Sequence, residues 1–203
     1  MRETARFDRR IVKSWTWRWR QQNWPMLGLM IQRLRRLFKR PSQAQGLDPS
    51  HAMERYERGV ALFGKGKMPA AEREFTAAIA SSLPIAGLYH HRGSAFAEQG
   101  KYLEAVADYD AAVRLRPDYP DIYVDRGNSY HAVGRDESAV KDYSEAIRLR
   151  PNYPEAYANR AAAHAAMGDD DASRLDAEEA TARGIDRDAL EELLEETVKE
   201  RDG

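Results

Sequence analysis

Four arginines recur at a fixed spacing, and each has an acidic residue sixteen positions later. The arginines are Arg58, Arg92, Arg126 and Arg160, and the acids are Glu74, Asp108, Asp142 and Asp176. An exposed row of arginines could bind phosphate or nucleic acid, whereas arginines that each face a carboxylate would form ion pairs within the protein. Because every arginine has a matching acid, we predict a row of internal ion pairs.

Other residues that could do chemistry do not form a recognisable site. His90 and His91 are adjacent, so they point to different sides of a helix and cannot chelate one metal together. The run 169–171 consists of three aspartates without the spaced ligands and glycine of a calcium loop, and we expect it to cap a helix. The sequence has no cysteine, no glycine-rich phosphate loop, no nucleophile elbow and no metalloprotease helix. We therefore predict a non-enzymatic protein with no catalytic residue, no metal and no cofactor.

The arginines and acids belong to a repeat of 34 residues. Four blocks align without gaps, at 52–85, 86–119, 120–153 and 154–187. The period predicts two antiparallel helices per block, joined at the glycine in the fifteenth place. In such a hairpin the small residue in the eighth place lies level with the residue in the twenty-fourth, so a glycine makes room for an opposing ring. The eighth places are Gly59, Gly93, Gly127 and Ala161, and the twenty-fourth are Phe75, Tyr109, Tyr143 and Ala177. We also expect prolines to open first helices at Pro84, Pro120 and Pro154.

At these places the sequence resembles the tetratricopeptide repeat (TPR) family. The second and third blocks match best, with Tyr-x-x-x-Gly, Gly-x-x-x-x-Ala and Leu-x-Pro in place, and the fourth departs most, at His164, Ser173 and Ala177. The resemblance implies an all-α solenoid of four helix-turn-helix units over residues 48–186. Gly184 and Asp186 then predict the end of one helix and the cap of another, so residues 187–203 would form a capping helix and tail.

The resemblance also implies that the first helices of the units line a concave groove that binds a peptide or protein segment. Some TPR proteins hold a chaperone's C-terminal carboxylate with lysine, arginine and asparagine, but here the matching places carry Tyr56, His91, Asp121 and Asp125. A carboxylate clamp is therefore not supported, and the acidic side chains predict a neutral or basic partner segment. The family's groove places correspond to Tyr56, Glu57, His90, His91, Ser94, Asp121, Asp125, Asn128, Glu155 and Asn159.

Residues 1–45 form a basic, tryptophan-rich arm with a different composition. The arm holds twelve Arg and Lys against two acids, a balance of +10, so the rest of the chain carries −11 of the total charge of −1. Between Pro25 and Pro41 an amphipathic helix is predicted, with an apolar stripe backed by arginines. The arm residues proposed for contact with a membrane or partner are Trp15, Trp17, Trp19, Trp24, Leu27, Met30, Ile31, Leu34, Phe38, Arg33, Arg35 and Arg36.

This pattern is typical of a helix that lies in a membrane interface, since it is too short and too charged to span a bilayer. We expect a cytoplasmic adaptor held peripherally at a membrane surface, with residues 1–40 contacting anionic lipid or a membrane protein complex. The alternative is a subunit or assembly factor of a larger complex whose arm docks into a partner protein. Organelle targeting and folding of the arm onto its own acidic repeats also fit the composition. Nucleic acid is disfavoured because no groove-reading motif is present.

Overall fold

The computed structural model describes residues 49–81 and 84–202, so the predictions for the arm lie outside the described residues. Within the described part the chain forms nine helices and no strand. Four antiparallel hairpins follow one another, and a ninth helix closes the series, which confirms the all-α TPR solenoid. The helices are α1 (Pro49–Gly64), α2 (Met68–Ala80), α3 (Ala86–Glu98), α4 (Tyr102–Leu115), α5 (Pro120–Ala132), α6 (Asp136–Leu149), α7 (Pro154–Met167), α8 (Asp170–Ala182) and α9 (Arg187–Asp202).

A glycine in the left-handed conformation reverses the chain inside each hairpin. Gly100 has φ 77°, its N–H donates to the Ala97 carbonyl at 2.9 Å, and the next N–H, of Lys101, donates to the Phe96 carbonyl at 3.0 Å. Glycine adopts this conformation without the steric cost that a Cβ atom brings. The other three turn glycines have φ between 72° and 79°.

The glycine in the eighth place and the ring in the twenty-fourth pack against each other as predicted. A Cβ atom on Gly127 would lie 2.6 Å from Cε1 of Tyr143, and one on Gly93 would lie 2.9 Å from Cε1 of Tyr109. Both tyrosines are only 1% exposed. The close approach of each pair of helices therefore depends on the missing side chain.

The prolines are only partly where the sequence predicted them. Pro120 and Pro154 begin α5 and α7, but Pro84 lies two residues before α3. Ile85 between them is extended, with φ −120° and ψ 123°. The prediction for Pro84 is wrong because this proline stands two places ahead of the first place of its block, where Pro120 and Pro154 stand in theirs.

The predicted ion pairs are present, and each of the last three arginines joins three helices. On α5, Arg126 donates two hydrogen bonds to the Asp142 carboxylate of α6, at 2.8 and 2.6 Å, and a third to Asp110 of α4 at 2.7 Å. The Arg92 and Arg160 guanidinium groups repeat the arrangement, each with a bidentate pair inside its unit and a hydroxyl acceptor on the second helix of the preceding unit. These three guanidinium groups are occupied by the protein itself, which argues against a phosphate-binding row.

The first unit has a weaker version of this ion pair. Arg58 Nε lies 3.5 Å from Glu74, and its side chain is 57% exposed, compared with 16% for Arg126. The described array has no second helix ahead of α1 to supply the third partner. The ion pair within the hairpin is therefore weaker in the first unit than in the other three.

The ninth helix packs beside the first helix of the fourth unit. Leu190, near the start of α9, is 1% exposed and clusters with Ala158 of α7, while Arg201 near its end donates to the Ala165 carbonyl at 2.9 Å. The two helices therefore run parallel, in the way that first helices of successive units do. Asp169 and Asp186 accept hydrogen bonds from backbone N–H groups at the starts of α8 and α9, so both predicted caps are confirmed.

The eighth-place glycine gives a test of the packing register. Replacing Gly127 with Ala puts a methyl group into the Tyr143 ring and should destabilise the fold by about 1–3 kcal/mol. The matched control is Gly64→Ala, at a helical position where a Cβ atom meets nothing within 4 Å, and it should stabilise by about 0.5–1 kcal/mol. Urea unfolding midpoints that move in the same direction for both variants would contradict the register.

Removing a guanidinium group tests the ion pair. Burial raises the pKa of Asp142 even though Arg126 lowers it, so Arg126→Gln leaves a buried carboxylate without its main counter-charge and should cost about 3 kcal/mol at neutral pH. A carboxyl group whose folded pKa exceeds its unfolded value gains stability as pH falls, so the deficit relative to wild type should shrink from pH 7.5 to 5.5.

The control for this prediction is Arg148→Gln, since Arg148 is 67% exposed and pairs with Glu145 one turn away on the same helix. Its unfolding midpoint should match wild type at both pH values. A deficit for Arg126→Gln no larger than that of the control, or one that grows on acidification, would show that Asp142 does not depend on Arg126.

Candidate functional site

The first helices of the four units form one continuous face, which we call the first-helix face. The Tyr56 hydroxyl of α1 lies 3.4 Å from His91 Nδ1 of α3, and His90 Nε2 of α3 lies 2.7 Å from the Asp125 carboxylate of α5. The Asn159 amide of α7 donates to Asn128 of α5 at 2.9 Å. The structure thus brings most of the predicted groove residues together, and it links each first helix to the next through them.

Aromatic and histidine rings cover the N-terminal half of this face. His91 packs edge-on against Tyr56, with ring centroids 5.4 Å apart, and His90 packs against Tyr119 at 6.1 Å. His91 Nδ1 also lies 2.8 Å from the Gly87 carbonyl, which can only accept, so Nδ1 carries the proton. Tyr56 therefore acts as an acceptor in its contact with His91.

Two of the predicted groove residues are buried by the protein's own contacts. Ser94 is 6% exposed, donates to the His90 carbonyl at 3.0 Å and lies 3.3 Å from the hydroxyl of Tyr109. Asp121 is 5% exposed and accepts from Arg150 at 3.0 and 3.2 Å and from Tyr153 at 2.8 Å. Asp121 therefore has a structural role, and its carboxylate is not presented to a partner as the sequence led us to expect.

Two acidic side chains of the first-helix face already have partners within the protein. Asp125 is partly exposed at 19% but lies against His90, and Asp121 has a guanidinium partner. Burial raises the pKa of the Tyr119 hydroxyl, and the nearby Asp121 carboxylate raises it further. Glu57 on α1 and Glu155 on α7 are also partly exposed acidic side chains of this face.

The contacts of the residues that follow the second helices were not predicted from the sequence. Arg116 and Arg150 occupy the thirty-first place of the second and third blocks, and Tyr119 and Tyr153 the thirty-fourth. Each guanidinium group stacks over the ring three residues later, at 4.9 and 4.5 Å from the centroid. The repetition of Arg-x-x-Tyr at the same two places is the signal that could have identified them.

Neither a metal site nor a membrane span is found among the described residues. They contain no group of three or more His, Asp or Glu residues placed to hold a metal ion. None of the helices in residues 49–81 and 84–202 is long and apolar enough to cross a membrane.

Comparison with known proteins gives matches to one kind of repeat. A family model of the TPR repeat matches residues 93–134 and 127–168, and no curated protein matches the chain. Among solved structures, MamA is similar with a TM-score of 0.64 at 21% identity, over 67% of this chain and 80% of MamA. The second TPR domain of human RPAP3, solved with an HSP70 peptide, has a TM-score of 0.55 at 26% identity, over 57% of this chain and 98% of that domain.

A further similar structure is YrrB, described as a TPR protein with an unusual peptide-binding site. Its TM-score is 0.65 at 17% identity, over 75% of this chain and 76% of YrrB. At that identity the likeness concerns the fold alone. The period of 34, the four hairpins and the family match together place this chain in the tetratricopeptide repeat family.

Proposed function

We propose that this protein is a non-enzymatic TPR adaptor that binds a segment of a partner protein on the first-helix face. The observation that carries the proposal is the set of cross-links on that face, in which Tyr56, His90 and Asn128 each contact a side chain on the neighbouring first helix. Such side chains are already ordered before a partner arrives, so less conformational entropy is lost on binding. The face combines aromatic rings with partly exposed amide and imidazole groups, which suits an extended peptide.

The charge of the chain outside the arm supports a neutral or basic partner segment. Residues 46–203 carry a net −11, and Glu57 and Glu155 lie toward opposite ends of the first-helix face. Charge of this sign attracts basic segments at long range and disfavours acidic ones. The similar RPAP3 domain, which was solved with a peptide, supports the use of this fold for segment binding.

The arm suggests where the adaptor is held. We propose that the stripe of Leu27, Ile31, Leu34 and Phe38, together with the arm's arginines, holds the adaptor at an anionic membrane surface. The support comes from the sequence pattern. The competing proposal is that the same stripe docks into a partner protein, which would make the chain a subunit or assembly factor of a larger complex.

Charge reversal tests the first-helix face. In the full chain, Glu57→Lys with Glu155→Lys should weaken binding of a basic nine-residue peptide, selected from a random library, by about fivefold, since each charge contributes up to ~1 kcal/mol. The matched control is Glu178→Lys with Glu104→Lys, which makes the same change in net charge on exposed positions of α8 and α4. Fluorescence anisotropy that finds equal weakening in both double variants would show that only net charge matters and would contradict a site on this face.

Vesicle binding tests the arm. The full chain should sediment with anionic vesicles, only weakly with neutral ones, and not at all when Leu34 and Phe38 are both replaced by Asp, because binding requires both apolar burial and attraction of about 1 kcal/mol per basic residue. Circular dichroism would serve as the control that the repeats of this double variant are still folded. Partner docking would be favoured if the wild-type chain does not bind vesicles but retains one protein partner at high salt, and if replacing Leu34 and Phe38 abolishes that retention.

A further inference from the structure

The second and third units end in the same loop structure. Arg116 has φ −145° and ψ 80°, and Arg150 has φ −137° and ψ 88°. Their N–H groups donate to equivalent carbonyls of Ala112 and Ala146, at 2.9 and 2.8 Å. Since each guanidinium group also stacks on the tyrosine three residues later, the two loops present an arginine and a tyrosine in equivalent positions.

In the third unit this loop holds a carboxylate. Asp121, in the second place of the block, receives both terminal nitrogens of Arg150 and the hydroxyl of Tyr153. The Asp121 side chain is 7% exposed and that of Arg150 is 32% exposed. The loop and the second place of the block together form a carboxylate site that the chain fills by itself.

In the second unit the same place carries no side chain. The residue 34 positions before Asp121 is Gly87, and a Cβ atom there would meet only the Tyr56 hydroxyl, at 3.7 Å. Arg116 is 49% exposed, and within residues 49–81 and 84–202 its ion pair is with Asp118, at 3.7 Å, whose own side chain is 76% exposed. The second unit therefore has the arginine and the stacked ring without a carboxylate in the second place of its own block, and the carboxylate near the Tyr119 hydroxyl is Asp121 of the third unit.

The Tyr56 hydroxyl adds a donor beside Gly87. His91 Nδ1 uses its proton toward the Gly87 carbonyl, so the Tyr56 oxygen accepts in its 3.4 Å contact with that nitrogen. Among the described residues no acceptor is found for the hydrogen of the Tyr56 hydroxyl. Burial raises the pKa of Tyr56 well above its usual value, so the hydroxyl keeps this hydrogen at every physiological pH. A carboxylate oxygen is the acceptor that would satisfy it.

We propose that the space beside Gly87, bounded by Arg116, Tyr119 and Tyr56, binds one carboxylate of the partner segment. The proposal rests on the proposed function, because it assigns one subsite within the first-helix face. Arg116 donates two parallel N–H···O hydrogen bonds to the partner's carboxylate, as Arg150 does to Asp121, and the Tyr56 hydroxyl donates a third. Of the residues at this subsite, only Tyr56 stands at a place that the carboxylate clamp of other TPR proteins uses. The partner segment is neutral or basic overall and carries one carboxylate at a fixed point, from an Asp or Glu side chain or from its C-terminus.

The first experiment uses the full chain and small carboxylates. Titration with N-acetyl-aspartate amide, which has a side-chain carboxylate, and with N-acetylglycine, which has a terminal one, should shift the Arg116 Nε–H resonance saturably. N-acetyl-asparagine amide and chloride at equal ionic strength should not. The compound that binds more tightly identifies the source of the carboxylate. Equal, unsaturable shifts with all four additives would overturn the proposal.

Substitutions at the subsite give the matched controls. Gly87→Asp places an internal carboxylate at the position that corresponds to Asp121, and it should abolish the saturable shift of the Arg116 resonance. Arg116→Gln should also abolish carboxylate binding, which is then followed by the Tyr56 and Gly87 resonances. Arg148→Gln, at a distant exposed arginine, should leave the shift unchanged. A Gly87→Asp chain that binds the carboxylates as well as wild type does would contradict the site.

A second measurement needs no ligand and so separates this inference from the proposed function. If residue 87 corresponds to residue 121, Gly87→Asp should melt about 2–4 °C above Gly87→Ala, and the difference should vanish when Arg116→Gln is added to both. Equal midpoints for Asp and Ala in the presence of Arg116 would overturn the equivalence. A library peptide that binds the first-helix face with the same affinity in wild type and Gly87→Asp would overturn the subsite while leaving the adaptor function intact.

Discussion

The arrangement of the units depends on one buried interaction, the bidentate pair between an arginine on a first helix and an aspartate on the second helix of the same hairpin. The third N–H of Arg126 reaches Asp110 on the preceding unit, and Arg92 and Arg160 reach hydroxyl groups at the same place. A planar guanidinium group fixes direction as well as distance. The pair therefore sets the register within a unit and the orientation of one unit on the next, and the first-helix face follows from that stacking.

Much of the fold could be predicted because the relevant contacts recur within 34 residues. The turn glycines, the Gly127–Tyr143 contact and the Arg126–Asp142 pair all lie inside one hairpin, so a fixed period with fixed residue types determines them. The aspartate caps of α8 and α9 were predictable for the same reason, since a cap involves only its own first turn.

The contacts made by the loop at the end of a unit, and by the capping helix, were harder to predict. That Asp121 is buried by Arg150 and Tyr153 depends on how a loop folds back on the first helix of its own hairpin, 29 and 32 residues earlier. An aspartate at a groove place looks like an available acid until that loop is positioned. Gly87 is the opposite case. From the sequence it is an ordinary helix glycine, and only the site filled by Asp121 in the next unit suggests that the missing side chain leaves space for a carboxylate. The fourth unit, whose facing places are Ala161 and Ala177, gains a large buried side chain from Leu190 of α9.

The central claim is that a partner segment binds on the first-helix face, and amide hydrogen exchange of the full chain with and without a selected peptide tests it most directly. With the peptide bound, exchange should slow in α1, α3, α5 and α7, most strongly around His90 and Asn128, and should not change on the exposed turns of α4 and α6. Protection confined to the second helices and α9 would place the binding surface elsewhere and contradict binding on the first-helix face.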